Sequence, residues 1–188
     1  DAIKMAPNDP NKDDDKLLDT LALAMVKQPK ASMEELAKAV GIGRMTLYRF
    51  CPTRDELIER LFQYGIRTIS QDIDDAKLDT AEPLQALRYM TQDSLKHWEI
   101  TLFMTRYWKP AYDCPPPGLD WDAKMDAFFL RGQQAGVFRI DIPAPALSEL
   151  WVGMFVGLVD AEYRGRVARA SLPDLLEKAF LQGAMPQK

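Results

Sequence analysis

Hydrophobic residues at helical spacing are the feature of this sequence that most restricts its fold. The most regular run follows the spacing i, i+3, i+4, i+7, i+8 and i+11 and comprises Leu147, Leu150, Trp151, Met154, Phe155 and Leu158. Similar patterns cover most of the 188 residues, and no alternating strand pattern of useful length competes with them. The sequence therefore predicts an all-α fold of about nine helices.

The amino-terminal part of the chain is divided into short helices by clear start and stop signals. Two capping boxes, Ser32–Glu35 and Thr53–Glu56, each mark the beginning of a helix. Gly41 is placed to end the first of these helices, as glycine often does. A short segment, Arg44–Phe50, ends before Pro52 because the residue that precedes proline avoids helical angles. These signals predict three short helices followed by a long one.

The turn between the second and third helices predicts a helix-turn-helix. Gly41-Ile42-Gly43 permits a tight turn, and Leu47 is the expected inward anchor of the recognition helix. Arginine can pair with guanine, threonine can meet a thymine methyl group or a phosphate, and tyrosine can contact the DNA backbone. The candidate DNA-binding residues are Ser32, Arg44, Met45, Thr46, Tyr48, Arg49, Thr53 and Arg54.

Charge is distributed unevenly along the chain. The formal net charge is -4, yet residues 27–67 carry eight lysines and arginines against five acids. Within residues 42–54 there are three arginines and no acid, a local pattern that a phosphate backbone attracts. Charge alone favours a solvated helix face, so the DNA-binding hypothesis depends on the helix-turn-helix.

Residues that catalysis and metal binding require are scarce. His97 is the only histidine, and Cys51 and Cys114 lie far apart, so neither zinc-site spacing nor a nucleophile with a base beside it arises. Gly41 and Gly43 form no phosphate-binding loop. We therefore predict no enzymatic activity, no metal and no cofactor. His97 is interpreted as a hydrogen-bonded helix residue and Cys51 as a small buried residue.

Membrane insertion is not predicted. No run of eighteen apolar residues is present, and the first residues are polar rather than typical of a signal peptide. The expected location is the cytoplasm.

Three motifs follow one another in the predicted DNA-binding module. They are Glu35-Leu36-Ala37-Lys38-Ala39-Val40-Gly41-Ile42, then Thr46-Leu47-Tyr48-Arg49-Phe50, then Pro52-Thr53-Arg54-Asp55-Glu56-Leu57. Together they resemble the DNA-binding domain of the TetR family of transcriptional regulators. The resemblance covers about residues 13–62, and the helical remainder agrees with the family in length and layout.

This resemblance implies a ligand-responsive regulator, usually a repressor, that binds a palindromic operator as a homodimer formed by its last two helices. It also implies that effector binding weakens DNA binding, and reciprocally. A long helix would join the helix-turn-helix module to a larger effector-binding and dimerisation bundle. The implied division is a tail at residues 1–12, disordered or introduced by cloning, a DNA-binding domain at 13–62, and a ligand-binding and dimerisation domain at 63–188.

The recognition helix departs from the usual family pattern. Family members often carry serine or threonine in place of Gly43, glycine in place of Met45, histidine or tyrosine in place of Phe50, and phenylalanine in place of Cys51. An operator shared with a relative is therefore not expected. Met45 and Phe50 keep one alternative open, a helical small-molecule binding protein whose DNA binding is lost or non-specific.

Aromatic residues are concentrated between His97 and Phe129, a composition typical of small-molecule pockets. The resemblance places an effector pocket inside each protomer, and we expect a small apolar or aromatic effector. The candidate pocket residues are His97, Trp98, Phe103, Tyr107, Trp121, Met125 and Phe128. The alternative is that these side chains are ordinary core residues.

The last two predicted helices have apolar faces wide enough for both a core and a partner, and Gly153 and Gly157 permit close approach of another helix. Such faces usually serve the chain's own core, but a helix-turn-helix that binds two half-sites requires two-fold symmetry. The candidate dimer-interface residues are Leu147, Trp151, Met154, Phe155, Leu158, Leu176 and Phe180. The expected partners are a second copy, double-stranded DNA and a small-molecule effector, without a membrane.

Overall fold

The computed structural model describes residues 10–107 and 119–184, which form nine α-helices and two short 3₁₀ helices without a strand. The α-helices in chain order are α1 (Pro10–Lys27), α2 (Met33–Val40), α3 (Arg44–Phe50), α4 (Arg54–Asp75), α5 (Pro83–Ser94), α6 (Trp98–Tyr107), α7 (Trp121–Gln134), α8 (Ala144–Tyr163) and α9 (Leu172–Ala184). The 3₁₀ helices are Leu95–His97 and Arg169–Ser171. The prediction of an all-α fold is confirmed.

The predicted caps form as the sequence indicates. The Ser32 hydroxyl accepts a hydrogen bond from the Glu35 amide at 3.2 Å, and the Glu35 carboxylate accepts one from the Ser32 amide at 2.7 Å. Gly41 ends α2 in the left-handed region, with φ 76°. At the start of α4 the Thr53 hydroxyl accepts from the Glu56 amide at 3.2 Å. Local sequence signals therefore set the boundaries of α2, α3 and α4.

The described chain divides into two compact units. The first comprises the described residues up to Ile66 together with Glu99–Tyr107, and the second comprises Arg67–Trp98 and the described residues from Leu119 onward. This division differs from the predicted one at residue 62, because most of α6 belongs to the first unit. Helix α1 also begins earlier than expected, at Pro10 rather than at residue 13.

Helix α6 joins the first unit through specific contacts. The Phe103 ring lies 5.4 Å from the Phe62 ring, centroid to centroid, and stacks on Tyr107 at 4.6 Å. The Tyr107 hydroxyl donates to the Met25 carbonyl of α1 at 2.9 Å. A segment distant in sequence therefore completes the core beneath the helix-turn-helix module.

The core of the second unit is aromatic. Phe128 and Phe129 of α7 pack edge to face at 5.0 Å, and the Phe138 ring lies 5.2 Å from that of Phe129. Phe180 of α9 contacts the Phe129 ring at 5.6 Å. This cluster ties α7 and α9 to the segment that leads into α8.

Helix α8 is strongly hydrophobic on average, although it contains no uninterrupted run of eighteen apolar residues. Ala144–Tyr163 is long and hydrophobic enough to cross a membrane by length and composition, with a mean hydropathy of 1.3 and 33% of the window buried. A search for uninterrupted apolar runs misses it because Ser148 and Glu149 interrupt the pattern. Core helices of soluble proteins meet the same criterion, and the buried face of α8 includes Leu147 and Trp151.

Candidate nucleic-acid interface and effector site

The recognition helix α3 has one fully buried anchor, two half-buried aromatic residues, Tyr48 and Phe50, and four exposed side chains. Leu47 is fully buried, as predicted. The exposed side chains of this helix are Arg44, Met45, Thr46 and Arg49. Met45 is 66% exposed, the largest exposed apolar side chain of this helix. The helix therefore offers two arginines, a threonine and a thioether to a ligand.

Arg60 of α4 supports the end of this helix. Its Nη1 donates to the Phe50 carbonyl at 2.8 Å, and its guanidinium lies 3.7 Å from the centre of the Phe50 ring. Its Nη2 lies 3.4 Å from the Asp14 carboxylate of α1. Arg60 thus fixes α3 against α1 and α4 and gives Phe50 a structural partner. Sequence analysis missed it because it lies outside the turn and the recognition helix.

Glu34 of α2 contacts two of the predicted DNA-binding residues. Its Oε1 accepts from the Tyr48 hydroxyl at 3.1 Å and lies 3.6 Å from Nη1 of Arg44. A hydrogen bond from its own backbone and then the Tyr48 hydroxyl lower the pKa of the Glu34 carboxyl, while the bond to Glu34 raises the pKa of Tyr48. Glu34 therefore stays ionised at neutral pH, beside the arginines that appear unopposed in the sequence.

Three other predicted DNA-binding residues have intramolecular roles. Ser32 and Thr53 are exposed and cap α2 and α4. Arg54 donates to the Pro29 carbonyl at 2.6 Å, a bond between the loop after α1 and the first residue of α4. Arg54 therefore helps to hold the module together, and its role in DNA binding stays a prediction.

Only one of the two cysteines, Cys51, lies within the described residues. Cys51 is a free thiol that is 2% exposed, and burial raises its pKa, so its predicted buried position is confirmed. Cys114 and the proline-rich segment around it lie outside the described residues. Among the described residues, no cluster of histidine, cysteine and carboxylate side chains is arranged to hold a metal.

The predicted effector-pocket residues are distributed over both compact units. Phe103 and Tyr107 are part of the first unit, where they pack as described above. The Arg169 guanidinium lies over the Trp98 ring, 3.9 Å from its centre. The Trp121 indole N–H donates a hydrogen bond to the Ser70 hydroxyl at 2.8 Å. Met125 is a buried core residue. Most of these aromatic side chains therefore serve packing, the alternative that the composition left open.

A cavity of ligand size lies in the described part of the second unit. Its volume is about 470 Å³, it lies between the end of α4 and α7, and Phe128 is the one predicted pocket residue that lines it. The other apolar side chains include Ile73 and Leu78, and the charged ones include Lys77 and Lys124. A second crevice, between α5, α8 and α9, measures about 30 Å³, room for little more than a water molecule.

A buried carboxyl lies near His97. Asp72 of α4 is 3% exposed, and burial raises its pKa to about 6. The charge of His97 and a hydrogen bond with Ser94 lower this pKa, whereas the charges of Asp93 and Asp75 raise it. The sequence offers little warning of this group, because an aspartate in a polar stretch of α4 is indistinguishable from its exposed neighbours.

Most of the predicted dimer-interface residues are buried within the single protomer. Leu147, Trp151, Phe155, Leu176 and Phe180 are each at most 6% exposed, so the protomer's own core already covers them. Met154 and Leu158 are half-buried. The exposed apolar side chains of these two helices are instead Leu150 (49% exposed), Val152 (42%) and Leu175 (37%). Periodicity identified the amphipathic helices but not which of their apolar residues remain at the surface.

Comparison with characterised proteins gives two relatives. The chain is 43% identical over 175 residues to the HTH-type transcriptional regulator NfxB of Pseudomonas aeruginosa. This alignment covers 91% of this chain and 94% of NfxB. It is 27% identical over 124 residues to the HTH-type transcriptional repressor LfrR of Mycolicibacterium smegmatis. This alignment covers 63% of this chain and 58% of LfrR. No protein-family model matches the chain.

Solved structures share the fold. The ketosteroid transcriptional regulator KstR2 of Mycobacterium tuberculosis superposes with a TM-score of 0.75 at 15% identity, over 97% of this chain and 98% of that chain. The TetR-like regulator LfrR of Mycobacterium smegmatis, in complex with proflavine, gives a TM-score of 0.68 at 20% identity, over 92% and 97%. At these identities the likeness concerns the fold alone.

Proposed function

Because the chain belongs to the TetR family of transcriptional regulators, we propose that it is a ligand-responsive repressor that binds a palindromic operator as a homodimer. The observation that carries this proposal is the exposed surface of α3, which presents Arg44, Thr46 and Arg49. Arginine and threonine at the exposed face of a recognition helix suit base and phosphate contacts in a major groove. The helix-turn-helix caps and the Arg60 contacts support that surface.

The proposed homodimer uses the exposed faces of α8 and α9. Leu150, Val152 and Leu175 are large apolar residues at the surface of neighbouring helices in the second unit. At Gly153 and Gly157 an added Cβ would meet nothing within 4 Å, so the space above α8 is open to a partner helix. A two-fold arrangement of this kind suits an operator with two half-sites.

The proposed effector site is the cavity between α4 and α7. Its volume of about 470 Å³ is within the usual range for small-molecule pockets. Apolar side chains including Phe128 favour a small apolar or aromatic effector, and the lysines and acids at the same cavity favour one that also carries a polar group. The proflavine complex of LfrR supports a small-molecule effector. Effector binding shifts the population away from the DNA-binding state only through a difference in affinity between the two states.

Selection of bound fragments from a genomic DNA pool tests this function, followed by fluorescence anisotropy titration of the selected duplex at two salt concentrations. The expected result is a palindrome with half-sites about one helical turn apart, preferred about a thousandfold or more over random duplex. Weak binding that is blind to sequence and strongly dependent on salt would contradict the proposal and favour a small-molecule binding protein without operator recognition.

Replacement of Arg49 checks that the selected binding uses α3. Arg49→Ala is expected to weaken binding of the selected duplex by about 1–3 kcal/mol, the usual range for a base contact. Arg166→Ala removes the same charge from an exposed site in the second unit and serves as the matched control. Equal losses in the two variants would show that the effect is general electrostatics rather than recognition by α3.

A further inference from the structure

An acidic side chain lies inside the basic DNA-reading surface. Glu34 is in the first turn of α2, and its carboxylate contacts the Tyr48 hydroxyl at 3.1 Å and the Arg44 guanidinium at 3.6 Å. The side chains of Arg44 and Glu34 are 63% and 49% exposed, so both are accessible to DNA. Residues 42–54 contain three arginines and no acid, but folding places the Glu34 carboxylate beside one of these arginines.

A carboxylate at this place opposes binding to phosphate in two ways. It carries the same sign of charge as the DNA backbone, and it occupies the arginine that would otherwise pair with a phosphate. An exposed ion pair of this kind alters an equilibrium by about two- to fivefold. A bidentate contact between arginine and guanine is stronger, worth about tenfold to a hundredfold. The ion pair therefore weakens either contact without preventing it.

We propose that Glu34 is an affinity-limiting residue of the DNA interface, because any contact of Arg44 with a phosphate or a base must first break its ion pair with Glu34. The inference rests on the proposed DNA-binding function and adds a residue that the helix-turn-helix motif does not identify. The bond from Tyr48 anchors the carboxylate between α2 and α3, so Glu34 is in place before DNA arrives. The cost of displacing it is the same for cognate and non-cognate DNA, so Glu34 lowers the affinity for both without changing their ratio.

Glu34→Gln tests the proposal, because the amide still accepts a hydrogen bond from Tyr48 but carries no charge. The probes are the duplex selected in the experiment above and a random-sequence duplex of the same length. For the random duplex the affinity is expected to rise about two- to fivefold, and the slope of log affinity against log salt to steepen by about one, as one more phosphate is neutralised. The affinity for the selected duplex is expected to rise by a similar factor, so the preference for it stays nearly unchanged.

Two further variants identify the cause. Glu59→Gln removes one carboxylate from an exposed site on α4 in the same unit and is expected to change the random-duplex affinity less than Glu34→Gln does. Arg44→Gln in the Glu34→Gln background is expected to cancel the change in salt slope, since Arg44 is the side chain that Glu34 releases. Thermal unfolding of each variant confirms that the module is folded.

The outcomes separate this inference from the function on which it rests. A wild-type chain without preference for the selected duplex overturns the proposed function and this inference together. A wild-type chain that prefers it, with a Glu34→Gln variant that binds random duplex no more tightly than Glu59→Gln does, overturns the inference alone.

Discussion

Individual side chains from outside α3 decide what the recognition helix presents to DNA. Arg60 holds the Phe50 carbonyl and ring, and Glu34 holds Tyr48 and Arg44. Arg49 differs, since it is exposed and makes no ion pair within the described part of the chain. In the absence of DNA, Arg44 is therefore paired with Glu34, whereas Arg49 is available for a DNA contact.

At the same scale, Asp72 makes stability depend on pH. Burial raises its pKa to about 6, above the value of about 4 expected in the unfolded chain. The folded state then binds the proton of Asp72 more tightly, so the contribution of this group to stability is fully present below about pH 4 and is lost as pH rises through about 6. We expect Asp72→Asn to raise the free energy of unfolding by about 1–3 kcal/mol near pH 7.5 and to leave it almost unchanged near pH 4.

Urea unfolding of the wild type and of Asp72→Asn at a series of pH values measures this effect. Asp79→Asn is the control, because it makes the same substitution at an exposed carboxyl. An Asp72→Asn variant that is less stable than the wild type at every pH would contradict the prediction, since it would mean that the ionised carboxylate is a favourable partner for His97 and Ser94.

At the scale of elements, a glycine allows α7 to pack against the segment that follows it. A Cβ added at Gly132 would lie 2.2 Å and 2.4 Å from two carbons of the Phe138 ring. That ring is 1% exposed and is enclosed by Phe128 and Phe129, at 5.9 Å and 5.2 Å between ring centres, so it has little room to move. Gly132 therefore permits a close approach that its helical position alone does not reveal.

We expect Gly132→Ala to destabilise the protein by about 1–3 kcal/mol, because the overpacking cost exceeds the gain of about 1 kcal/mol in helix propensity. Urea unfolding measures the change. Gln134→Ala, at an exposed position of the same helix, introduces the same residue without the clash and is expected to shift stability by less than about 0.5 kcal/mol. A Gly132→Ala variant as stable as the wild type would mean that Phe138 repacks freely.

At the scale of the whole molecule, the proposed homodimer would use apolar residues that the single chain leaves exposed. We expect Leu150→Glu to convert the proposed dimer into a monomer and to reduce affinity for a palindromic duplex, because it introduces a charge where two apolar faces meet. Light scattering gives the mass, and anisotropy gives the affinity.

Leu130→Glu is the matched control for this experiment. Leu130 of α7 is 50% exposed, against 49% for Leu150, so the two substitutions place the same charge at equally accessible positions. The Leu130 variant is expected to keep the wild-type mass. A Leu150→Glu variant that remains dimeric would place the interface on another face of the second unit.

The sequence by itself determined the features that depend on neighbours along the chain. Capping boxes, the left-handed glycine after α2 and the buried anchor Leu47 involve residues within one or two turns of each other. The hydrogen bonds and steric limits that produce them are local, so residue type and spacing suffice. The all-α fold, the helix-turn-helix and the exposed residues of α3 were therefore accessible without coordinates.

Tertiary structure alone decided which surfaces remain available and which side chains come together. Glu34 with Tyr48, Arg60 with Phe50, and Tyr107 with Met25 are pairs whose separation in sequence carries no periodic signal. Packing also decided that Trp151 is covered while Leu150 is exposed, although both fit one amphipathic pattern. An apolar stripe shows that a helix is buried on one side, but the width of the buried side depends on the helices that pack against it.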